Sequence, residues 1–187
     1  MAPLYVALVH HPVLNRKGEI ISSAVTNLDL HDLARSARTY EIPACFVVTP
    51  LKDQQVLVGQ LLSHWCEGIG KELHPDRDEA LKRLQVVESI ASARREIEAR
   101  CGQTPAVWAT SARKCDGSLS HARARKVLSE SSVPYLLLLG TGWGLTASVL
   151  RDADGVLDPI GGVNGYNHLS VRCAASILMD RLLHAER

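Results

Sequence analysis

Aromatic side chains are scarce in this 187-residue chain, with one Phe, four Tyr and three Trp, 4% of the whole. Its core must therefore be built from Leu, Val, Ile and Ala. Cysteine patterning is missing too. Cys45, Cys66, Cys101, Cys115 and Cys173 are odd in number, scattered, and form no C-x-x-C pair. That excludes a disulfide framework and a zinc site of the usual spacing, and it suits a reducing, cytoplasmic compartment. No metal is expected. No apolar run approaches the ~18 residues that span a membrane. Met1–Val6 has no basic segment ahead of an apolar one, so neither a signal peptide nor a membrane partner is expected. An excess of one charge is also lacking: the formal net charge is +1 and the pI about 7.7. A global nucleic-acid footprint, which would be strongly basic, is absent. Local basic clusters remain at Arg16-Lys17, Arg35 with Arg38, Arg113-Lys114, and Arg123, Arg125 and Lys126.

What is present is a globular composition, 46% apolar and 22% charged, in which short apolar runs alternate with amphipathic stretches. Strands are expected at 4–9, 44–49, 84–87, 105–110, 135–139 and 155–157. Helices are expected at 27–40, 53–65, 89–100, 119–130, 146–151 and 169–185, with a short helical piece at 78–83. The 13–23 and 67–78 stretches read as loops. Thr26 or Asn27 can cap the first long helix, and Pro43 stops it. No repeat or linker interrupts the chain, so 1–187 reads as a single α/β domain with a mostly parallel sheet of five or six strands flanked by helices.

Tyr135–Ala175 carries the pattern most suggestive of a ligand site. An apolar strand enters the glycine loop Gly140-Thr141-Gly142-Trp143-Gly144-Leu145-Thr146. A short strand then enters a second loop, Asp158 to His168, which carries Gly161, Gly162, Gly165, Tyr166 and Asn167. Loops at the carboxyl ends of neighbouring parallel strands meet where small ligands bind. The first loop is G-x-G-x-G, not the dinucleotide fingerprint G-x-G-x-x-G, and it lies late in the chain. No Gly-Lys-Ser/Thr follows it, which excludes a phosphate P-loop. Glycines there let backbone groups approach a flat ligand such as adenine. The second loop meets a helix start near Leu169 and Ser170, a place suited to a carboxylate or phosphate.

Three segments together resemble the SPOUT superfamily, trefoil-knotted methyltransferases that act on RNA with S-adenosyl-L-methionine. They are the Asn27–Arg38 helix, the L-L-L-G-T-G-W-G-L-T run from Leu137 to Thr146, and Y-N-H-L-S-V-R-C-A-A from Tyr166 to Ala175. Ala109-Thr110-Ser111-Ala112-Arg113 resembles the T-S-A-R loop of some ribose methyltransferases in that superfamily. Asp29, not the family's Asn, stands six residues before Arg35, and the glycine loop lacks the usual acidic residue.

The resemblance implies a deep C-terminal trefoil knot and a cofactor cleft within about residues 105–187. It also implies a homodimer, with the last helix (Ile177, Leu178, Leu182, Leu183) as a dimer face, and a tRNA or rRNA substrate. By resemblance the cofactor contacts are Thr110, Leu139, Gly140, Thr141, Gly142, Gly144, Leu157, Ile160, Tyr166, Asn167, His168, Leu169 and Ser170. Arg35 is the implied catalytic residue, orienting substrate through its permanent charge; Asp29 and Asn27 are secondary catalytic candidates, with His31 beside them. Arg38, Arg113 and Lys114 are the candidate RNA contacts. Methyl transfer from a sulfonium is an in-line displacement, which needs alignment of the nucleophile and removal of a proton. The ribose 2′-oxygen is slightly favoured over a base as acceptor. Two other readings stand beside this one: a nucleotide- or dinucleotide-binding oxidoreductase, and a noncatalytic RNA-binding module of the same fold.

Overall fold

The computed structural model describes residues 1–184. Six strands form one parallel sheet in the order β5-β4-β1-β7-β6-β8. They are β1 (Leu4–Val9), β4 (Cys45–Val48), β5 (Leu84–Val87), β6 (Ala106–Ala109), β7 (Tyr135–Gly140) and β8 (Gly155–Val156). β1 sits between β4 and β7, paired from Val6↔Cys45 and from Leu4↔Tyr135. Every residue of β1 is buried, because helices cover both faces of a parallel sheet and leave no solvent side for polar residues.

One face carries Leu4, Val6, Leu8, Val47, Leu137 and Leu139. It is covered by α1 (Asn27–Thr39), α2 (Lys52–Cys66), α4 (Pro75–Leu81), α6 (His121–Glu130) and α8 (Val171–Leu183). The other carries Ala7, Val9, Phe46, Leu136 and Leu138 under α5 (Ile90–Cys101) and α7 (Ala147–Asp152). The expected α/β class and sheet size are borne out.

The local reasons are those read from the sequence. The Thr26 hydroxyl caps α1 by accepting from Asp29 N, while Ser89, Ser120, Thr146 and Ser170 cap α5, α6, α7 and α8 in the same way, each satisfying a free N–H. Gly102 ends α5 in the left-handed region at φ 68°, where a side chain would be strained.

Three expectations need correction. The 67–78 stretch is not a loop: α3 (Ile69–Leu73) and α4 fill most of it. Pro75 occupies the first turn of α4, where a missing N–H costs nothing, so it starts that helix. The 13–23 stretch contains a small antiparallel hairpin, β2 (Val13–Leu14) with β3 (Ile20–Ile21). The last helix begins at Val171, because Ser170 is its cap; Ala185, its expected final residue, lies outside the described residues.

Candidate functional site

The helices after β1 and β6 lie on one face of the sheet, and the helix after β7 lies on the other. β7 therefore has a topological switch point on each side, where diverging loops leave a crevice at the carboxyl ends of the strands. The glycine loop and the second loop are not immediate neighbours, however. β6 separates β7 from β8, so the loop after β6, from Thr110, stands between them.

That segment divides the region into two clefts. On the α8 side, Thr110, Ser111 and Ala112 face Asp158, Ile160, Asn167, Leu169, Ala174 and Leu178 across a cleft of about 70 Å³. On the other side, the same three residues and Arg113 line an open groove of about 490 Å³ with the β2–β3 hairpin and Trp143, Gly144 and Leu145. The Asn167 side-chain amide donates to the Ala112 carbonyl, linking the second loop to the loop after β6.

The glycine loop is clamped to the loop after β1. Thr141 is buried; its N and its hydroxyl donate to Val9 O at 3.1 and 2.9 Å. Trp143 N donates to Leu14 O and Leu14 N to Gly144 O, both at 2.9 Å. A Cβ on Gly140 would lie 2.6 Å from Leu145 N, and one on Gly142, at φ 58°, 2.9 Å from Leu14 O. Ser23 continues the clamp inward, 2.5 Å from the Thr141 hydroxyl and 3.0 Å from His10 Nδ1. His10 is fully buried, and its Nε2 has no hydrogen-bond partner among the described residues. Burial pushes its pKa down to about 4, against the opposing charge of Asp29, so it is neutral at pH 7.

The second loop is fixed at its start. Leu157 N donates to Ala109 O, and Asp158 N to Leu119 O, both at 2.9 Å. The Ser118 hydroxyl donates to Asp158 Oδ1, and Lys114 Nζ lies 3.6 Å from the same oxygen. The Ser118 hydrogen bond, helped by the Lys114 charge, holds Asp158 below the usual carboxylate range, so it is ionised and a poor proton acceptor at neutral pH. His121 Nε2 donates to Asp158 O at 2.9 Å while its Nδ1 accepts from Arg181 at 3.1 Å, a pairing that requires the neutral ring. Desolvation lowers its pKa in the same direction.

The expected cofactor contacts divide by position. Thr110, Ile160, Asn167 and Leu169 line the smaller cleft, and Gly144 lines the groove. Leu139 and Leu157 are buried at strand ends. Tyr166 and His168 stack edge-on at 5.5 Å on the exposed second loop. Ser170 spends its hydroxyl on the cap of α8.

The α1 candidates lie on a different surface. Asp29 is buried, accepts from the Thr26 hydroxyl at 2.6 Å and pairs with Arg172 at 3.0 Å. Arg172, which sequence reading passed over, also reaches Asp32 at 3.1 Å. Arg35 therefore has no carboxylate partner among the described residues, and it opens onto a groove of about 610 Å³ between α1 and α8. Asn27 is exposed at the start of α1. Arg38 is committed to Glu41 and, at 2.7 Å, to Glu79. Arg113 is exposed without an ion pair among the described residues, whereas Lys114 leans on Asp158. Of the expected dimer face, Leu178 and Leu182 are buried in the chain's own core; Ile177 lines the α1–α8 groove. Among the described residues no cluster of His, Cys, Asp and Glu could hold a metal, and no helix is long and apolar enough to cross a membrane.

The residues of the smaller cleft fit an adenosyl group in kind: Ile160, Leu169, Ala174 and Leu178 supply apolar walls, and Thr110, Ser111 and Asn167 are polar. In size the cleft, about 70 Å³, is well below the roughly 300 Å³ of an ordinary ligand pocket.

Comparison with known proteins gives a consistent result. A family model described as SAM-dependent RNA methyltransferase matches residues 3–184. A protein of Nitratidesulfovibrio vulgaris named tRNA (guanine-N(1)-)-methyltransferase is 47% identical over 180 residues, and one of the same name from Oleidesulfovibrio alaskensis is 44% identical. Each match covers 96% of this chain but 42% of the relative, so the chain spans less than half the length of either. An uncharacterized protein of Aquifex aeolicus is 31% identical over 184 residues, covering 98% of this chain and 90% of that one. Among solved structures, TrmJ from Z. mobilis ZM4 superposes with a TM-score of 0.63 at 14% identity, covering 100% of this chain and 70% of that one. The A. aeolicus TrmH/SpoU tRNA modifying enzyme gives 0.57 at 14%, covering 98% and 75%. These two share the fold of this chain, a single α/β domain built on a mostly parallel sheet.

Proposed function

Because the chain belongs to the SAM-dependent RNA methyltransferase family, we propose that it transfers a methyl group from S-adenosyl-L-methionine to tRNA, with the two clefts dividing the work. The observation that carries this reading is the shared wall. Thr110, Ser111 and Ala112 line both the small apolar cleft and the large groove beside the hairpin. A cofactor in the first and an RNA strand in the second would meet across that one segment.

When bound, the cofactor would supply an electrophilic methyl on a sulfonium, and the accepting oxygen or nitrogen would give its proton to solvent. The chain's own residues have three tasks. Leu169, Ile160 and Leu178 exclude water from the adenosyl side. Gly144, at φ 100° with open space where a Cβ would stand, leaves the groove floor low enough for a ribose or base to approach. Arg35 orients the substrate by its charge. It stands in the α1–α8 groove rather than in either cleft, so it would act on the site of a second copy. This supports a homodimer in which each α1 completes its partner's centre. The packing of α8 between α1 and α6 supports the trefoil knot.

The accepting atom has two readings. The Thr110–Arg113 loop favours a ribose 2′-oxygen. The guanine-N1 name of the two longer relatives favours a base nitrogen, although that name belongs to proteins more than twice this length. Mapping the modified nucleotide in tRNA distinguishes them. Ligand binding tests the cofactor: thermal unfolding with S-adenosylmethionine, S-adenosylhomocysteine and NAD should show stabilisation by the first two. Stabilisation by NAD alone would replace this reading with an oxidoreductase.

A further inference from the structure

Trp143 is 57% exposed at the centre of the glycine loop. Its backbone is held firmly. Trp143 N donates to Leu14 O, Gly144 O accepts from Leu14 N, and left-handed glycines stand on either side, at φ 58° and 100°. The ring is thus presented on a fixed support. Gly142 cannot take a side chain without striking the Leu14 carbonyl.

The groove beside the indole is basic. Arg16 and Lys17, at the tip of the β2–β3 hairpin, and Arg113 line it with Trp143, and no carboxylate does. All three cations are exposed and form no ion pair among the described residues. The hairpin tip is itself ordered. Asn15 Oδ1 accepts from Lys17 N at 2.8 Å and Glu19 N at 3.0 Å, and Asn15 Nδ2 donates to Glu19 Oε2 at 2.7 Å. That last contact ties the Glu19 carboxylate to Asn15.

An exposed aromatic face next to a row of free cations matches an unpaired nucleotide, whose base stacks while its phosphates meet the charges. Double-stranded RNA keeps its base faces stacked inside the helix and offers none to the indole. We propose that the Trp143 groove is a single-strand RNA site, in which Trp143 stacks on an unpaired base next to the nucleotide to be methylated and Arg16, Lys17 and Arg113 hold the flanking phosphates. This rests on the methyltransferase reading only for the identity of the adjacent reaction. It gives that reading a substrate class: a loop, bulge or end, not a continuous duplex.

The test uses the full chain, a mixed-sequence single-stranded RNA of twelve nucleotides, and the corresponding blunt duplex. Binding is read by fluorescence anisotropy and by quenching of tryptophan emission. The single strand is expected to bind in preference to the duplex. Trp143→Ala should weaken single-strand binding by roughly 10- to 100-fold, and Trp143→Phe should restore most of it. The quenching should vanish in Trp143→Phe even though Trp65 and Trp108 remain. Arg16→Ala with Lys17→Ala should lower the salt dependence of log affinity by about 1.4 in slope. Affinity for S-adenosylhomocysteine should be unchanged in all of these.

Unaltered single-strand affinity in Trp143→Ala overturns the proposal. So does loss of S-adenosylhomocysteine binding with RNA binding intact, which would assign the indole to the cofactor and leave the methyltransferase reading standing. If the native chain binds no S-adenosylhomocysteine while single-strand binding still depends on Trp143, this proposal stands and the methyltransferase reading falls.

Discussion

Arg172 Nη1 lies 3.0 Å from Asp29 Oδ1, although 143 residues separate them in the chain. The pair joins the start of α8 to the start of α1 and gives Asp29 a holding role. With Asp32 also drawn to Arg172 at 3.1 Å, both acidic neighbours of Arg35 on α1 are occupied. Asp29→Asn should therefore lower the melting temperature and keep methyl transfer. Asp29→Ala, which also empties the space beside a guanidinium, should lower the melting temperature further. Thermal unfolding and turnover measured on the same samples check this; loss of turnover in Asp29→Asn without loss of stability would restore Asp29 as a catalytic residue.

Arg35→Ala is expected to reduce turnover by roughly 100-fold or more, the scale of losing a positioned charge at a reacting centre. Cofactor affinity should not change, because Arg35 lines neither cleft. If Arg35 serves a second copy, mixing Arg35→Ala chains with chains defective in the glycine loop should recover part of the activity through mixed dimers. Unchanged turnover in the single variant would remove Arg35 from the site.

Gly140→Ala tests the glycine loop as a rigid support. Its new Cβ would stand 2.6 Å from Leu145 N, a backbone atom with no room to yield. Overpacking of this kind costs about 1–3 kcal/mol, and calorimetry on the variant should show that loss together with weaker RNA binding. Gly165→Ala, in open space on the second loop but at φ 78°, should disturb folding less.

His10 gives the fold a pH dependence of definite sign. Burial pushes its pKa from 6.5 down to about 4, so the unfolded chain binds this proton more readily than the folded one. The corresponding stability is fully present above pH 6.5 and is lost as pH falls toward 4. The full effect is on the order of 3 kcal/mol. His31 and His121, also lowered chiefly by burial, act in the same direction. Melting temperature should fall from pH 7 to pH 5 in the native chain and fall less steeply in His10→Gln. Equal slopes would show that His10 is not the group responsible.

Much of this was legible in the sequence because it depends on short-range chemistry. Strand runs such as Tyr135–Leu139, the Thr26 and Ser170 caps, and the divergence of the glycine loop from a dinucleotide fingerprint need only a few neighbouring residues. What could not be read depends on strand order. That β6 lies between β7 and β8 turned one expected two-loop cleft into two clefts sharing Thr110–Ala112. Leu178 and Leu182 have the spacing of a helix face, and spacing does not say whether the face meets a partner or the chain's own sheet; here it meets the sheet. The Arg172–Asp29 pair has no local signal at all. The β2–β3 hairpin had one, Asn15 followed by Gly18, but its strands are two residues each, below the length at which alternation can be recognised.

The most direct measurement is transfer of a labelled methyl group from S-adenosylmethionine to unfractionated tRNA by the full chain, with the modified residue then mapped. Stoichiometric label at one nucleotide of an unpaired segment, appearing roughly 100-fold or more slowly in Arg35→Ala, is the predicted result. Absence of label from tRNA under conditions where S-adenosylhomocysteine binds would contradict the account.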